Sequence, residues 1–295
     1  MHLGNVYSAV MSWLSARKRG GEWILRMEDL DRQRCKEAYS AQLLDDVRWL
    51  GLKWDNCSLD GGLPREFFQS SRSRFYERAF QSLCEKGLVY DCFCRRADLL
   101  AASAPHAEDG TPVYAGTCRS LGAGERALLL KSRAPAQRLM VEDKTVSFID
   151  GHFGRQDVNL AHNLGDFVIR RADGTFSYQL AVVVDDAFMG VSEVVRGRDL
   201  LPSAAAQTYL HKTLCHTPPA FSHVPLLLGA DGRRLSKRDG SSGMDELRSR
   251  FSREELIGTI MFLCGCTEKK EAMSLDEAVS AFSWERVRHD DVRVR

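Results

Sequence analysis

The sequence predicts an α/β protein. Three observations carry this: apolar residues recur at helical spacing in several segments, short unbroken apolar runs of strand length lie between them, and glycines mark the changes of period. Residues 6 to 19 set Val6, Tyr7, Val10, Met11, Trp13 and Leu14 at helical spacing and end in Arg17-Lys18-Arg19-Gly20-Gly21, cations and glycines suited to a helix C-terminus. Trp23, Ile24, Leu25 and Met27 then form an apolar run that predicts a buried strand, and residues 38 to 50 return to helical spacing before Gly51. A helix over 70–86 leads into the apolar stretch Leu88 to Cys94, and the small, proline-bearing residues 101–112 predict a loop. Residues 166–186 predict a hairpin of strands about the Asp173-Gly174 turn, with Phe167, Val168 and Ile169 before it and Tyr178 to Val184 after it, running on to a helix. A strand from Val191 to Val195, a helix over 204–214, a loop holding Arg233 to Arg238 and a helical last 50 residues complete the chain.

Composition narrows the function classes. At roughly 150 residues per domain, 295 residues predict two packed units. Lys and Arg number 41 against 40 Asp and Glu, so no long-range field attracts nucleic acid and any RNA contact must rest on a local patch. No stretch approaches the ~18 consecutive apolar residues of a membrane helix, and the first charges follow the first apolar residues, the wrong order for a secretory signal. A cytoplasmic protein with no membrane partner is expected. Nine cysteines, an odd number without an export signal, argue against a disulfide framework and direct attention to metal or burial.

Two short motifs suit phosphate chemistry. His2-Leu3-Gly4-Asn5 sits where the first helix begins: backbone N–H groups there attract phosphate oxygens, Gly4 permits close approach, and His2 can donate to a phosphate. Taken alone it is weak, and a frayed chain start is the favoured reading. Arg233-Arg234-Leu235-Ser236-Lys237-Arg238-Asp239-Gly240 places Lys237 between a hydroxyl and another cation, suited to a triphosphate whose charge grows during displacement; alone it favours a solvated basic loop, and with His2-Leu3-Gly4-Asn5 the preference reverses. Cys92-Phe93-Cys94, Tyr114 and Cys118 offer three thiolates and a phenolate, a closed tetrahedral set of structural type. They would clamp residues 95–117, which hold too few apolar side chains to order themselves; plain buried thiols are the alternative. His106 lies in that loop as a conceivable substitute ligand, and Cys264-Gly265-Cys266 is a spare pair.

Together these segments resemble the class I aminoacyl-tRNA synthetases. His2-Leu3-Gly4-Asn5 resembles their His-Ile-Gly-His signature, and Leu235-Ser236-Lys237-Arg238 their Lys-Met-Ser-Lys-Ser signature. Residues 25–31, 165–171, 178–186 and 195–200 resemble, in order, the blocks of the glutamate branch. Within it the resemblance is closest to the glutamyl-queuosine tRNA(Asp) synthetases, short paralogues without anticodon-binding domains; here 57 residues follow Arg238. That group also carries a zinc site of a Cys-x-Cys and a Tyr-x-x-x-Cys pair, matched at Cys92, Cys94, Tyr114 and Cys118.

The resemblance implies a Rossmann-like parallel sheet in two halves, residues 1–88 and 161–242, with a zinc-binding insertion over 89–160 and a helical region over 243–295. It implies a monomer that uses ATP with Mg²⁺, holds one structural Zn²⁺, and joins L-glutamate to queuosine at the wobble position of tRNA(Asp). His2, Gly4, Asn5, Leu235, Ser236 and Lys237 would bind ATP, with His2 and Lys237 catalytic; Glu28, Tyr178 and Arg196 would bind glutamate. From the residues alone, Glu28 is equally a salt bridge to Arg26, Tyr178 a core residue and Arg196 a surface ion pair. Arg95-Arg96 and the basic residues of 233–238 would meet the anticodon loop. A truncated glutamyl-tRNA synthetase and an impaired RNA- or zinc-binding paralogue are the alternatives. Class I catalytic domains open with a strand and loop ahead of the histidine signature, which supply an arginine and a serine to the glutamate pocket. Met1 immediately precedes His2, so a start codon upstream is expected.

Overall fold

A computed structural model describes residues 1–31, 35–57, 62–95, 113–235 and 243–294. The first helix, α1 (Leu3–Lys18), buries Val6, Tyr7, Val10, Met11, Trp13 and Leu14. It stops at Gly20, whose φ of +66° only glycine adopts without strain, and Gly21 N–H closes the end on Ala16 O at 2.8 Å. Helices α2 (Glu37–Trp49) and α3 (Ser73–Glu85) follow.

The expected strand at Trp23–Met27 is extended and buried but joins no sheet. Its backbone is met by side chains and a loop instead: Trp23 N–H donates to Asp55 (2.7 Å), Leu25 N–H to Asn56 (3.0 Å) and Met27 N–H to Phe67 O (2.9 Å). The apolar run therefore predicted burial correctly and strand pairing wrongly, because burial is local information and a pairing partner is not.

Strands β1 (Val89–Cys92), β2 (Ala136–Leu139) and β5 (Phe167–Arg170) form an antiparallel sheet in the order β1-β2-β5. A second sheet has the order β4-β3-β7-β6, from β3 (Thr145–Asp150), β4 (Gly154–Asn159), β6 (Glu193–Gly197) and β7 (Ala220–Val224). The expected parallel sheet is thus mixed: β3, β7 and β6 run parallel, whereas β4 returns antiparallel through the tight turn at Gly151–Phe153. Between the strands lie α4 (Ala123–Ser132), the short α5 (Leu160–Asn163), α6 (Tyr178–Phe188) and α7 (Leu201–Thr213).

Residues 178–184 are the start of α6, not the second arm of a hairpin. Ser177 caps the helix by accepting from Leu180 N–H, and Leu180 to Asp186 are all buried. A helix buried all round shows no period that separates it from a buried strand. The C-terminal part holds α8 (Met244–Arg250), α9 (Arg253–Cys264) and α10 (Leu275–Ala281), but closes on a strand, β9 (Val292–Arg293), parallel to β8 (Leu227–Leu228). One core joins α1, α2 and α9; another joins α3, α6 and α7. Among the described residues no helix is long and apolar enough to cross a membrane.

Candidate active site and metal cluster

His2 is the N-cap of α1. Its Nδ1 accepts from Asn5 N–H at 3.4 Å while Asn5 Oδ1 accepts from His2 N–H at 3.2 Å, so two donors of the helix start are satisfied reciprocally. A Cβ on Gly4 would lie 3.2 Å from the imidazole Cε1, which is why glycine suits the position under the ring. The first turn holds no acidic side chain to offset the positive end of the helix dipole. Ser15 and Arg19, near the other end of α1, meet Glu193 at the start of β6. Helix and strand therefore run opposite ways, and His2 lies toward the carboxyl end of β6, the side on which open α/β sheets receive ligands.

The chain just past the second motif returns to His2. Leu235 comes back against β8, its N–H donating to Leu227 O at 3.1 Å, and Gly243 forms a backbone bridge with His2. Residues 236–242, with Ser236 and Lys237, lie outside the described residues, as do Arg96, His106 and Arg238. Arg233 and Arg234 are exposed and ion-paired with Asp231 and Asp199.

Arg196 on β6 and Tyr178 at the head of α6 touch, Arg196 Nη1 donating to the phenol oxygen at 3.3 Å. Burial pushes the Tyr178 phenol up, Arg196 opposes this, and Glu28 is close enough to add to the rise. Glu28 does pair with Arg26, Oε1 to Nη2 at 3.1 Å, and Arg26 is held in turn by Asp186 at 2.7 Å. Of the three expected glutamate ligands, Arg196 and Tyr178 thus touch, while Glu28 shares its carboxylate with an arginine.

A family profile described as "tRNA synthetases class I (E and Q), catalytic domain" matches residues 1–292. The chain belongs to the class I tRNA synthetases. A Glutamyl-Q tRNA(Asp) synthetase of Symbiobacterium thermophilum is 42% identical across 100% of this chain and 92% of its own length. Glutamate--tRNA ligase 2 of Syntrophus aciditrophicus is 39% identical over 97% of this chain and 60% of its own. The crystal structure of a glutamate-tRNA synthetase from Elizabethkingia anophelis superposes with a TM-score of 0.83 at 28% identity, covering 100% of this chain and 66% of that one. This chain is accordingly a ligase-type enzyme of the synthetase class, with the synthetase Rossmann-like fold.

Within this synthetase chain the cysteine cluster can hold a metal. The Sγ atoms of Cys92, Cys94 and Cys118 lie within 4.8 Å of one another. Cys94 and Cys118 sulfurs are 3.6 Å apart, and the Tyr114 oxygen is 3.4 Å from Cys92 Sγ and 3.9 Å from Cys94 Sγ. A tetrahedral cation with metal–sulfur bonds of about 2.3 Å requires ligand separations of about 3.7 Å, close to these three distances. Burial, then the contact with Cys118, pushes the Cys94 thiol up to about 12, so metal entry must release protons. The Arg138 guanidinium lies 3.7 Å from the Tyr114 ring centre, where it stabilises the phenol's electron-rich ring. Cys264 and Cys266 are buried and bond the carbonyls of Met261 and Ser283, the pattern of plain buried thiols.

Sequence reasoning missed two residues behind Arg196. His223 on β7 is fully buried; its Nε2 faces Arg196 Nε at 3.1 Å and its Nδ1 faces Asp150 Oδ2 at 2.5 Å. A histidine between Phe221 and Val224 in a strand-length segment was the available signal.

Proposed function

We propose that this synthetase activates L-glutamate with ATP and Mg²⁺ and transfers it to the queuosine base at the wobble position of tRNA(Asp). The observation that carries the reading is the Glutamyl-Q tRNA(Asp) synthetase relative, 42% identical over all of this chain and 92% of its own length. In the first step the α-carboxylate of glutamate attacks the α-phosphate of ATP and pyrophosphate leaves. His2, Gly4, Asn5 and the start of α1 receive the nucleotide, with Leu235 and Ser236 beside it, and Lys237 offsets charge on the departing pyrophosphate. Mg²⁺ bound with ATP supplies further charge neutralisation. Glu28 accepts from the substrate ammonium, Tyr178 lends a fixed hydroxyl, and the planar fork of Arg196 holds a carboxylate.

In the second step a hydroxyl of the queuosine cyclopentene-diol attacks the adenylate carbonyl and AMP departs. Arg95-Arg96 and residues 233–238 meet the RNA backbone locally, as the near-zero net charge requires. Cys92, Cys94, Tyr114 and Cys118 hold one structural Zn²⁺, whose donor set leaves no open position for catalysis.

The test offers labelled glutamate and ATP to queuosine-containing tRNA(Asp), unmodified tRNA(Asp) and tRNA(Glu), with zinc measured by elemental analysis. Acceptance by the first alone, with one zinc per chain, is expected. Charging of unmodified tRNA(Glu) instead would make the chain a glutamyl-tRNA synthetase, and tRNA binding without glutamate-dependent ATP–pyrophosphate exchange would make it an impaired paralogue.

A further inference from the structure

Arg196 does not stand alone at the end of its strand. Asp150, the last residue of β3, accepts from the backbone N–H groups of His152 at 3.0 Å and Phe153 at 2.9 Å, and from His223 N–H at 3.3 Å. Four donors, counting the His223 ring, thus converge on one fully buried carboxylate. They fix it in one rotamer and keep it ionised, and its pKa is lowered although burial opposes this.

The identity of the donors settles the proton. A guanidinium carries five N–H donors and no acceptor, so the Nε2 atom that meets Arg196 Nε must present its lone pair. The imidazole proton therefore sits on Nδ1 and is donated to Asp150. Burial lowers the pKa of the ring, the bond to Asp150 opposes this, and the charge of Arg196 adds to the fall, which favours the neutral ring. Leu200 O accepts from Arg196 Nη2 at 3.2 Å, and the guanidinium lies 5.2 Å from the centre of the Phe221 ring. With Nε and Nη2 held from behind, the remaining Nη1 is the group turned to Tyr178.

We propose that Asp150 and His223 are positioning residues for glutamate capture: they fix the plane of the Arg196 fork through a single imidazole tautomer. The inference rests on the reading of Arg196 as a glutamate ligand and adds the residues that orient it. The chain is a relay of orientation, with no proton moved. If Asp150 were neutral and able to donate, the ring would turn its proton to Nε2 and set N–H against N–H at Arg196, the wrong-tautomer effect known from Asp→Asn changes in hydrolase triads.

Two histidine variants separate positioning from packing. In His223→Gln the amide oxygen reaches about where Nε2 lies and still accepts from Arg196; in His223→Asn the amide reaches only to the Nδ1 position, so Asp150 keeps its donor and Arg196 loses its acceptor. Glutamate and ATP KM and kcat for pyrophosphate exchange, and the glutamate Kd by calorimetry, are measured on the full chain, with Asp150→Asn and Arg196→Ala alongside. His223→Asn and Asp150→Asn are expected to weaken glutamate on the order of 10–100-fold with ATP KM unmoved, and His223→Gln to recover most of the loss. Equal behaviour of the two His223 variants, a parallel rise in ATP KM, or failure of both to fold would overturn the proposal and make the pair structural. If Arg196→Ala leaves glutamate affinity intact, the reading of the site falls first, a result distinct from failure of the pair.

Discussion

Two of the buried carboxylate–arginine networks among the described residues end differently. Asp185 on α6 is fully buried and receives Arg72 Nε at 2.6 Å, Gln69 Nε2 at 2.9 Å and the Tyr76 hydroxyl at 2.9 Å. Arg72, 2% exposed, is itself stacked between the Phe75 and Phe188 rings, so both charges are sealed inside. The chain that begins at Asp150 starts equally deep but runs through His223 to Arg196 and Tyr178, which are only partly buried. The Asp185 network ties the start of α3 to α6 and extends to Arg26, whose Nε lies 3.8 Å from Asp185 Oδ2. One graded from buried anion to half-open cation presents that cation to something outside the fold.

The largest expected effect tests the Asp185 network. Asp185→Ala leaves the buried Arg72 charge uncompensated and should cost about 3–5 kcal/mol of stability. Urea unfolding followed by circular dichroism measures it, and a loss below about 1 kcal/mol would erase the distinction between the networks. The open network should respond in the opposite currency. Arg196→Lys keeps the charge but loses the fork that Nε and Nη2 anchor, so glutamate KM should rise on the order of 100-fold while ATP KM and the urea midpoint hold. A variant that instead unfolds early would mark Arg196 as a second structural arginine.

The contrast also explains what was legible in the sequence. The apolar face of α1, its start at His2-Leu3-Gly4-Asn5 and its C-terminal glycines could be read because each depends on residues within about a turn. Cys92, Cys94, Tyr114 and Cys118 could be read as a set because they match the pattern that the resemblance implies, and the structure does gather them. Asp150 and His223 could not. They are 73 residues apart and meet only because β3 lies beside β7, where Asp150 pairs with Phe221. The same limit produced the errors at Trp23–Met27 and Tyr178–Val184, where burial was visible and the identity of the neighbour was not.

A smaller effect, from a buried polar group that belongs to neither network, marks the lower end of this comparison. His211 on α7 is 1% exposed, and among the described residues neither ring nitrogen has a hydrogen-bond partner. Burial, with a lesser push from His216, drives its pKa from 6.5 down to about 4. The folded state therefore binds this proton later than the unfolded chain as pH falls. Stability from this group is whole above pH 6.5, declines as pH drops below that value, and is fully lost once pH passes about 4. At 1.36 kcal/mol per pKa unit the loss between pH 7.5 and 5 is about 2 kcal/mol. His211→Phe keeps the ring volume and removes both nitrogens, so the difference in unfolding free energy between the two proteins should widen by about 2 kcal/mol over that range. At pH 7.5 the variant should match or exceed the parent, because it no longer buries two unsatisfied polar atoms. A pH-independent difference would mean that His211 finds a partner in the folded chain and that isolation is not how this site is built.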